Sequence, residues 1–426
     1  MMRTIDLRTS KAISLSLSNS SPASTAEIET TVTKIINTVR RNGDAALRLY
    51  AKKFDHATLT SLRVDEKEIQ NAFRNGDTRF VKILRQAIKN IRAFHNKQRR
   101  ANWKLKEQFG SELRQLYLPM EKVGVYVPGG KAAYPSTVLM NVIPAQVAGV
   151  KEIHLVSPPD KNGNVNSDVL LAAAILGINN VYRVGGAQAI AALAYGTETI
   201  PVVDKIVGPG NIFVATAKKM VFGKVGIDSF AGPSEVVILA DDSANAEFIA
   251  SDMLAQAEHD ELASSILVTP SVKLIDKIQE AFQKFIQGLS SKEIIAVSLK
   301  NRGACILVKN IQQGIDVVNY LAPEHLEIIT KNDEAALKKI QHAGAIFLGI
   351  YSPVAIGDYF AGSNHVLPTE RTSRFSSPLS VDDFVKRSSV VKYSKKKMQH
   401  VADDVALFAE RERLTAHALS IRLRKK

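Results

Sequence analysis

Short apolar runs alternate with helical patterns through the middle of the chain, and this feature constrains the fold most. The predicted strands cover residues 123–127, 153–156, 181–184 and 205–207. The predicted helices between them cover residues 137–148, 167–176, 187–195 and 211–221. Such alternation predicts a parallel sheet with helices on both faces. Ligands of sheets of this kind bind at the carboxyl edge.

The same pattern occurs a second time further along the chain. Strands are predicted at residues 235–240, 265–268, 304–308 and 345–347, and helices at residues 244–258, 273–287 and 334–343. The segments before and after the two α/β units do not show this alternation. Residues 25–102 are helical in pattern, and the last fifty residues, from about 377, are mostly helical and basic. The chain therefore has two α/β units in tandem, with helical segments at both ends.

Cys305 is the only cysteine among 426 residues, so no intrachain disulfide can form. This excludes a disulfide-stapled secreted protein and favours a reducing cytoplasm. The sequence around Cys305 predicts a buried strand rather than a catalytic thiol, which needs a polar, electropositive setting. Residues 1–25 are rich in serine without the apolar run of a secretory signal, and we expect no membrane association.

The net charge is +14, with 56 Lys and Arg against 42 Asp and Glu. A basic balance of this size occurs in nucleic-acid-binding proteins. Here, however, the basic residues are dispersed, and no RNA-binding signature with interleaved aromatic residues is present. We therefore expect a solvated surface with a basic tail and no nucleic-acid partner, although part of the charge can attract the phosphates of a dinucleotide.

Four loops rich in glycine and proline punctuate the first α/β unit. They surround Pro128-Gly129-Gly130, Gly185-Gly186, Gly208-Pro209-Gly210 and Gly232-Pro233. Three of them follow a predicted strand and precede a helix, where backbone N–H groups can approach a pyrophosphate. The full Gly-x-Gly-x-x-Gly pattern and the Walker motif are absent. The loops indicate a dinucleotide site outside the standard Rossmann pattern, or simply tight turns between strands and helices.

Candidate metal ligands lie in three places. Gln256 and His259 are three residues apart near the end of a predicted helix, which puts their side chains on one face. Asp358 lies in a segment that ends at His365, and His417 lies on the C-terminal helical segment with Glu412. A catalytic zinc site needs three or four N/O ligands and one open position. Spacing alone does not select these residues over other His and Asp residues, and a capping histidine is the commoner reading of His259.

A candidate acid–base pair stands just before an apolar strand, where Pro323 precedes Glu324 and His325. Proline fixes the local backbone, and in a loop both side chains can reach a common cleft. Histidine is the usual general base near neutral pH. A surface pair without a catalytic role is the alternative.

Taken together, the motifs resemble those of the histidinol dehydrogenase family from about residue 25 to residue 420. The segments are VGVYVPGG (123–130), the loop through Gln188, VGPGN (207–211), AGPSE (231–235), AQAEHD (255–260), APEHLE (322–327) and GSNHVLPT (362–369). Their order and spacing argue against an accidental match. The chain departs from the family at Glu370-Arg371, where a glycine-rich turn is common, and at Pro378, where glycine is common.

The resemblance implies an NAD-linked, zinc-dependent oxidation of L-histidinol to L-histidine, with one Zn²⁺ per subunit. It implies Glu324 and His325 as the acid–base pair, NAD contacts at Tyr126, Gln188 and Asn211, and substrate contacts at Ser234, His365 and Glu412. The zinc ligands, which also meet the substrate, would be Gln256, His259, Asp358 and His417. In the family, the residue matching His417 comes from the partner subunit of a homodimer, so the active site is shared.

The resemblance also implies two incomplete Rossmann-like units, related to the aldehyde dehydrogenase architecture. The expected division is an N-terminal arm (1–24), a first α/β domain (25–121 plus 236–376), an NAD-binding domain (122–235) and a C-terminal helical arm (377–426). Two other functions stay open. One is oxidation of a different amino alcohol or of a sulfonated alcohol at the same zinc site, and the other is a basic, non-catalytic nucleotide- or RNA-binding protein.

Overall fold

The structure, a computed structural model, describes residues 2–9, 23–129, 134–229 and 232–425. Gly130 and Ala231, which belong to two of the predicted glycine-rich loops, lie outside these residues, as does most of the predicted N-terminal arm. Within the described ranges, no helix is both long and apolar enough to cross a membrane.

The strands fall into three sheets. In chain order they are β1 (Arg3–Asp6), β2 (Trp103–Lys106), β3 (Glu112–Pro119), β4 (Lys122–Tyr126), β5 (Glu152–Ser157), β6 (Val181–Arg183), β7 (Lys205–Val207), β8 (Gly226–Ile227), β9 (Glu235–Ala240), β10 (Ser264–Thr269), β11 (Ala304–Leu307), β12 (His325–Ile329), β13 (Ala345–Leu348) and β14 (Val385–Lys392). Two of the sheets are wholly parallel and carry the site.

The first parallel sheet has the order β6-β5-β4-β7-β8, and the second has β1-β11-β10-β9-β12-β13. From β4 and from β9 onward, each sheet follows the Rossmann order 3-2-1-4-5 and ends one strand short of a full unit. This confirms the predicted α/β class with two incomplete Rossmann-like units. The order reverses between β4 and β7 and between β9 and β12, and the ends of these four strands surround the site described below.

Most of the helices cover the faces of the two parallel sheets, whereas the last two pack against each other. Their bounds are Ala23–Tyr50, Glu66–Arg74, Thr78–Asn96, Pro135–Ala148, Ser167–Ile175, Gly186–Tyr195, Ile212–Val221, Ala246–Ala257, Val272–Phe285, Lys292–Arg302, Ile311–Leu321, Asp333–Leu337, Val354–Ile356, Lys395–Arg411 and Thr415–Lys425. Two π-helical turns, Ala51–Asp55 and Gly357–Ala361, extend the helices that precede them. Apolar clusters fill the space between helices and sheet on each face.

Cys305 lies within β11 and is completely buried, as the sequence predicted. Burial raises the pKa of its thiol to about 12, so the sulfur stays protonated and unreactive at neutral pH.

The structure adds elements that the sequence pattern did not indicate. β1 extends the six-stranded sheet by pairing with β11, and β2, β3 and β14 form a small antiparallel sheet. β14 lies inside the segment predicted as helical, so the helical C-terminal arm begins only at Lys395. Its eight residues pair with β3 along their whole length, and such pairing between distant segments has no periodic signal in either one.

Candidate active site

A cavity of about 450 Å³ lies between the carboxyl ends of β4 and β7 and the amino ends of β9 and β12. Eight of the predicted site residues line it, namely Asn211, Ser234, Gln256, His259, Glu324, His325, Asp358 and His365. The carboxyl-edge rule therefore locates the candidate residues of the first sheet, whereas those of the second sheet lie at its amino edge. The two sheets face the same cavity with opposite ends.

The main chain of Glu235 holds the Glu324–His325 pair. Because β9 and β12 are neighbours, Glu235 lies beside the start of β12. Its N–H donates to Oε2 of Glu324 at 2.9 Å, and its carbonyl accepts from Nδ1 of His325 at 3.0 Å. Both residues are only 5% exposed. One residue of β9 therefore fixes the orientation of both members of the pair.

These hydrogen bonds determine the tautomer of His325. A carbonyl only accepts, so Nδ1 carries the proton and Nε2 keeps its lone pair. Nε2 is buried, has no hydrogen-bond partner within the described chain, and lies 4.0 Å from Oδ1 of Asp358. Burial, opposed by the Glu235 carbonyl and reinforced by the charges of His259 and His365, lowers the pKa of His325 to about 4. The imidazole is therefore neutral at physiological pH and can accept a proton at Nε2.

The same buried surroundings shift the pKa of Glu324 in the opposite direction. Burial, together with the negative charges of Glu235 and Asp358, raises its pKa well above the usual value. Hydrogen bonds from the N–H of Glu235 and the hydroxyl of Ser234 work against that shift by stabilising the carboxylate. Oε2 lies 3.6 Å from Nδ1 of His325. Glu324 is therefore a buried acid whose proton is sensitive to charge in the cavity.

Three of the four predicted zinc ligands come together in a single chain. Gln256 lies in the last turn of Ala246–Ala257, His259 follows that helix, and Asp358 lies in the π-helical turn. All three line the main cavity and also an adjoining one of about 280 Å³. Burial raises the pKa of Asp358 to about 7, and desolvation lowers that of His259 although part of its surface is exposed.

This donor set suits zinc, which binds imidazole nitrogen and carboxylate oxygen. Nε2 of Gln256 is buried and lacks a hydrogen-bond partner in the described ranges, so its amide group is free to turn its oxygen toward a ligand. No cluster of three or more His, Cys, Asp and Glu with the arrangement of a metal site occurs among the residues described. The chain therefore offers three donors in one cavity, one of them an amide.

Glu412 and His417 lie apart from the other candidates. They line a cavity of about 540 Å³ between the last two helices, together with apolar residues that include Phe408 and Leu414. The fold of one chain thus does not bring these two residues to the cavity that holds Glu324 and His325. Phe408 is 69% exposed, so an apolar surface accompanies them.

The three predicted NAD contacts lie at the carboxyl edge of the first sheet. Asn211 lines the main cavity and caps Ile212–Val221 by accepting from the N–H groups of Phe213 and Val214. The hydroxyl of Tyr126 accepts from the N–H of Gly186 at 3.1 Å, and Gln188 lies in the first turn of Gly186–Tyr195. Two helix N-termini therefore point toward this edge, an arrangement that favours anions.

Sequence reasoning missed several cavity residues. Tyr134, Asp228 and Thr369 also line the cavity, and Oγ1 of Thr369 accepts from the N–H of Gly232 at 2.6 Å. Thr369 was part of a recognised motif but was given no role. Asp228 had no sequence signal, because a single Asp after a two-residue strand resembles any turn residue.

Comparison with known proteins gives one consistent result. The family model described as "Histidinol dehydrogenase" matches residues 18–425. Similar proteins named histidinol dehydrogenase include one from Clostridium acetobutylicum, 54% identical over 94% of this chain and 93% of its own length, and one from Bacillus subtilis, 52% identical over 97% and 96%. The crystal structure of histidinol dehydrogenase from Elizabethkingia anophelis has a TM-score of 0.91 and 36% identity, and covers 99% of this chain and 98% of its own.

Proposed function

Because the chain belongs to the histidinol dehydrogenase family of oxidoreductases, we propose that it oxidises L-histidinol to L-histidine through bound L-histidinaldehyde. The two oxidations are NAD-dependent and form the last steps of histidine biosynthesis. The observation that carries the proposal is the buried Glu324–His325 pair, held by the main chain of Glu235 with Nε2 of His325 free.

The donors described above suit one Zn²⁺ per subunit, held by Gln256, His259 and Asp358, with His417 of the partner subunit as the fourth ligand. When bound, Zn²⁺ would hold the amine and imidazole of the substrate, and NAD would accept the hydride in each oxidation. NAD would lie along the carboxyl edge of the first sheet, with Tyr126, Gln188 and Asn211 as contacts and its phosphates near the helix N-termini.

His325 takes the hydroxyl proton of the alcohol in the first oxidation. Its Nε2 has the lone pair that this step needs, and the hydrogen bond from Nδ1 to the Glu235 carbonyl stabilises the imidazolium that results. The depressed pKa keeps the imidazole unprotonated before substrate arrives. Ser234 and His365, which line the same cavity, provide the remaining contacts from this chain to the substrate.

Glu324 activates the water that adds to the aldehyde. As a base it must be ionised, and the N–H of Glu235 already stabilises the carboxylate. Its raised pKa depends in part on the negative charge of Asp358, so neutralisation of that charge by a bound cation favours the ionised form. Two adjacent groups with opposite pKa shifts thus accept two different protons.

The active protein is a cytoplasmic homodimer in which Glu412 and His417 of each subunit complete the site of the other. This part of the proposal is supported by the separate cavity that holds these two residues and by the exposed apolar surface beside them. The single cysteine, buried as a thiol, suits a reducing compartment.

The test mixes zinc-loaded protein with limiting L-histidinol and excess NAD, and follows NADH absorbance to completion. Two NADH per histidinol, lost with a chelator and restored by zinc, is the expected result. One NADH per histidinol would mean that aldehyde is released and that the role given to Glu324 is wrong. No NADH from the zinc-loaded dimer would contradict histidinol as the substrate and favour another amino alcohol or a sulfonated alcohol.

A further inference from the structure

A buried ion pair lies behind the loop that joins β7 to the helix Ile212–Val221. Lys218 and Asp228 are in direct contact, and each side chain is 3% exposed. Lys218 comes from that helix, and Asp228 follows β8 at the same edge of the sheet. Asp228 also lines the main cavity, so the pair adjoins the site rather than the distant core.

The ion pair holds both peptide groups that flank Gly208. The N–H of Gly208 donates to Oδ2 of Asp228 at 2.7 Å, and the carbonyl of Gly208 accepts from Nζ of Lys218 at 3.0 Å. Oδ1 of Asp228 accepts in addition from the N–H of Ser229 at 2.8 Å. Charged partners make these hydrogen bonds stronger than neutral ones, and together they fix the direction in which the chain leaves β7.

Gly208 itself needs this support. Its φ is +110°, and a β-carbon there would lie 2.1 Å from the carbonyl oxygen of Tyr126, so only glycine fits. Glycine has the widest conformational freedom of any residue, and Pro209 beside it has no N–H to donate. The loop geometry therefore depends on hydrogen bonds from elsewhere, and the ion pair supplies them.

Stability alone does not account for a buried ion pair. Removing two charges from water costs free energy, and an apolar pair of similar volume is often as stable or more stable. What an apolar pair cannot do is bind the N–H and the carbonyl of Gly208. The pair is also neutral as a whole, so it orients the loop without placing a net charge beside an anionic ligand.

We propose that Lys218 and Asp228 are positioning residues that set the Gly208–Asn211 loop for the dinucleotide. This inference rests on the proposed function, because it takes the loop as part of the NAD site. Loss of the pair frees Gly208, and the N-terminus of Ile212–Val221 with its cap Asn211 is then no longer held against the cavity. The dinucleotide must then restrain the loop as it binds, and its affinity falls.

The deciding variant is the double substitution K218M/D228L. Fluorescence titration with NADH measures its Kd for the dinucleotide, and urea unfolding measures its stability. Two apolar side chains remove the ion pair without leaving one charge buried, but the N–H and the carbonyl of Gly208 lose their partners, so the urea midpoint should fall modestly while the protein stays folded without urea. The Kd for NADH should nevertheless rise about tenfold or more, because two charge-assisted hydrogen bonds to the loop are lost. The KM for NAD should rise with it, while the KM for histidinol stays unchanged.

The chain offers a matched control at the other end of β7. There Nζ of Lys205 donates to the carbonyl oxygen and to Oδ1 of Asp383, at 2.8 and 3.0 Å, away from the cavity. K205M should lower the urea midpoint and leave the Kd for NADH unchanged. An unchanged Kd in K218M/D228L, or an equal rise in K205M, would overturn the proposal. Absence of NADH binding by the wild type would overturn the cofactor assignment itself and this proposal with it.

Discussion

The N–H of Val354 donates a hydrogen bond of 3.0 Å to Oε1 of Glu327, two residues along β12 from His325. Val354 begins the short helix that leads to Asp358. The bond therefore connects β12, which carries the proposed base His325, to the segment that carries the proposed zinc ligand Asp358. Glu327 is 1% exposed, and its carboxyl group also meets that of Asp252, on the helix of Gln256. One buried side chain thus joins three elements that meet at the site.

Replacing Glu327 tests this connection. Burial and the charge of Asp252 raise the pKa of Glu327 to about 8, so it is largely protonated at neutral pH and glutamine mimics it. E327L leaves the N–H of Val354 without an acceptor, which should cost about 1–3 kcal/mol in the free energy of unfolding. Urea unfolding of the metal-free protein measures this, and chelator competition should show weaker zinc binding. E327Q is the control and should resemble the wild type; equal losses in both variants would contradict the role of the hydrogen bond.

The two half-reactions should respond differently to changes in the catalytic pair. H325A should abolish oxidation of histidinol by removing the base, a loss of about 100-fold or more. E324Q should retain more of the alcohol oxidation than of the aldehyde oxidation, because only the second step needs an activated water. The measurement supplies histidinol and histidinaldehyde as separate substrates and follows NADH. An equal loss of both half-reactions in E324Q would contradict this division.

Glu235 should make stability depend on pH. Burial raises its pKa from 4.5 to about 7, so the folded protein binds a proton there that the unfolded chain releases. Its contribution to stability is full below pH 4.5 and is lost as pH rises through 7. E235Q keeps the acceptor for the N–H of Glu370 but does not ionise. Relative to wild type, its free energy of unfolding should therefore increase by up to about 3 kcal/mol between pH 4.5 and 8.

Urea unfolding across that pH range, with E280Q at the exposed Glu280 as the control, measures the effect of Glu235. The pH dependence of E280Q is the baseline against which that of E235Q is compared. If the difference between E235Q and the wild type matches this baseline at every pH, Glu235 has an ordinary pKa.

Gly344 should tolerate no side chain, because a β-carbon there would lie 2.5 Å from the carbonyl oxygen of Glu324. Its N–H donates to the carbonyl of Pro323 at 2.9 Å, so the clash falls on the turn that presents Glu324. G344A should lower the free energy of unfolding by about 1–3 kcal/mol and reduce turnover. G288A is the matched control, since nothing lies within 4 Å of a β-carbon there. Equal stability of the two variants in urea would contradict the close contact.

Glu370 and Arg371 occupy left-handed backbone conformations, with φ of 51° and 67°. Glycine adopts such a conformation without strain, which fits the glycine-rich turn expected here from the resemblance to the family. E370G should raise the free energy of unfolding by about 1 kcal/mol, because glycine adopts this φ without strain. The N–H that donates to Oε1 of Glu235 remains. E370A keeps the β-carbon and should show no gain in urea unfolding, so a similar gain in both variants would argue against backbone strain.

The sequence predicted the elements of the two parallel sheets because each is encoded locally. β4, β5, β9 and β10 are apolar runs bounded by turn residues. β1 and β14 were missed because each is an edge strand whose pairing with a distant segment decides its structure. The helices Lys292–Arg302 and Ile311–Leu321 were missed as well.

The sequence by itself determined the α/β class, the glycine positions of the loops and the motifs that identify the family. Only the tertiary structure decided which polar side chains meet. Asp358 joins Gln256 and His259 across about a hundred residues of chain, and the main chain of Glu235 fixes a pair that lies 89 and 90 residues away. Local patterns report how a segment buries its own apolar face, whereas a site forms where separate strand ends converge, and no single segment encodes that convergence.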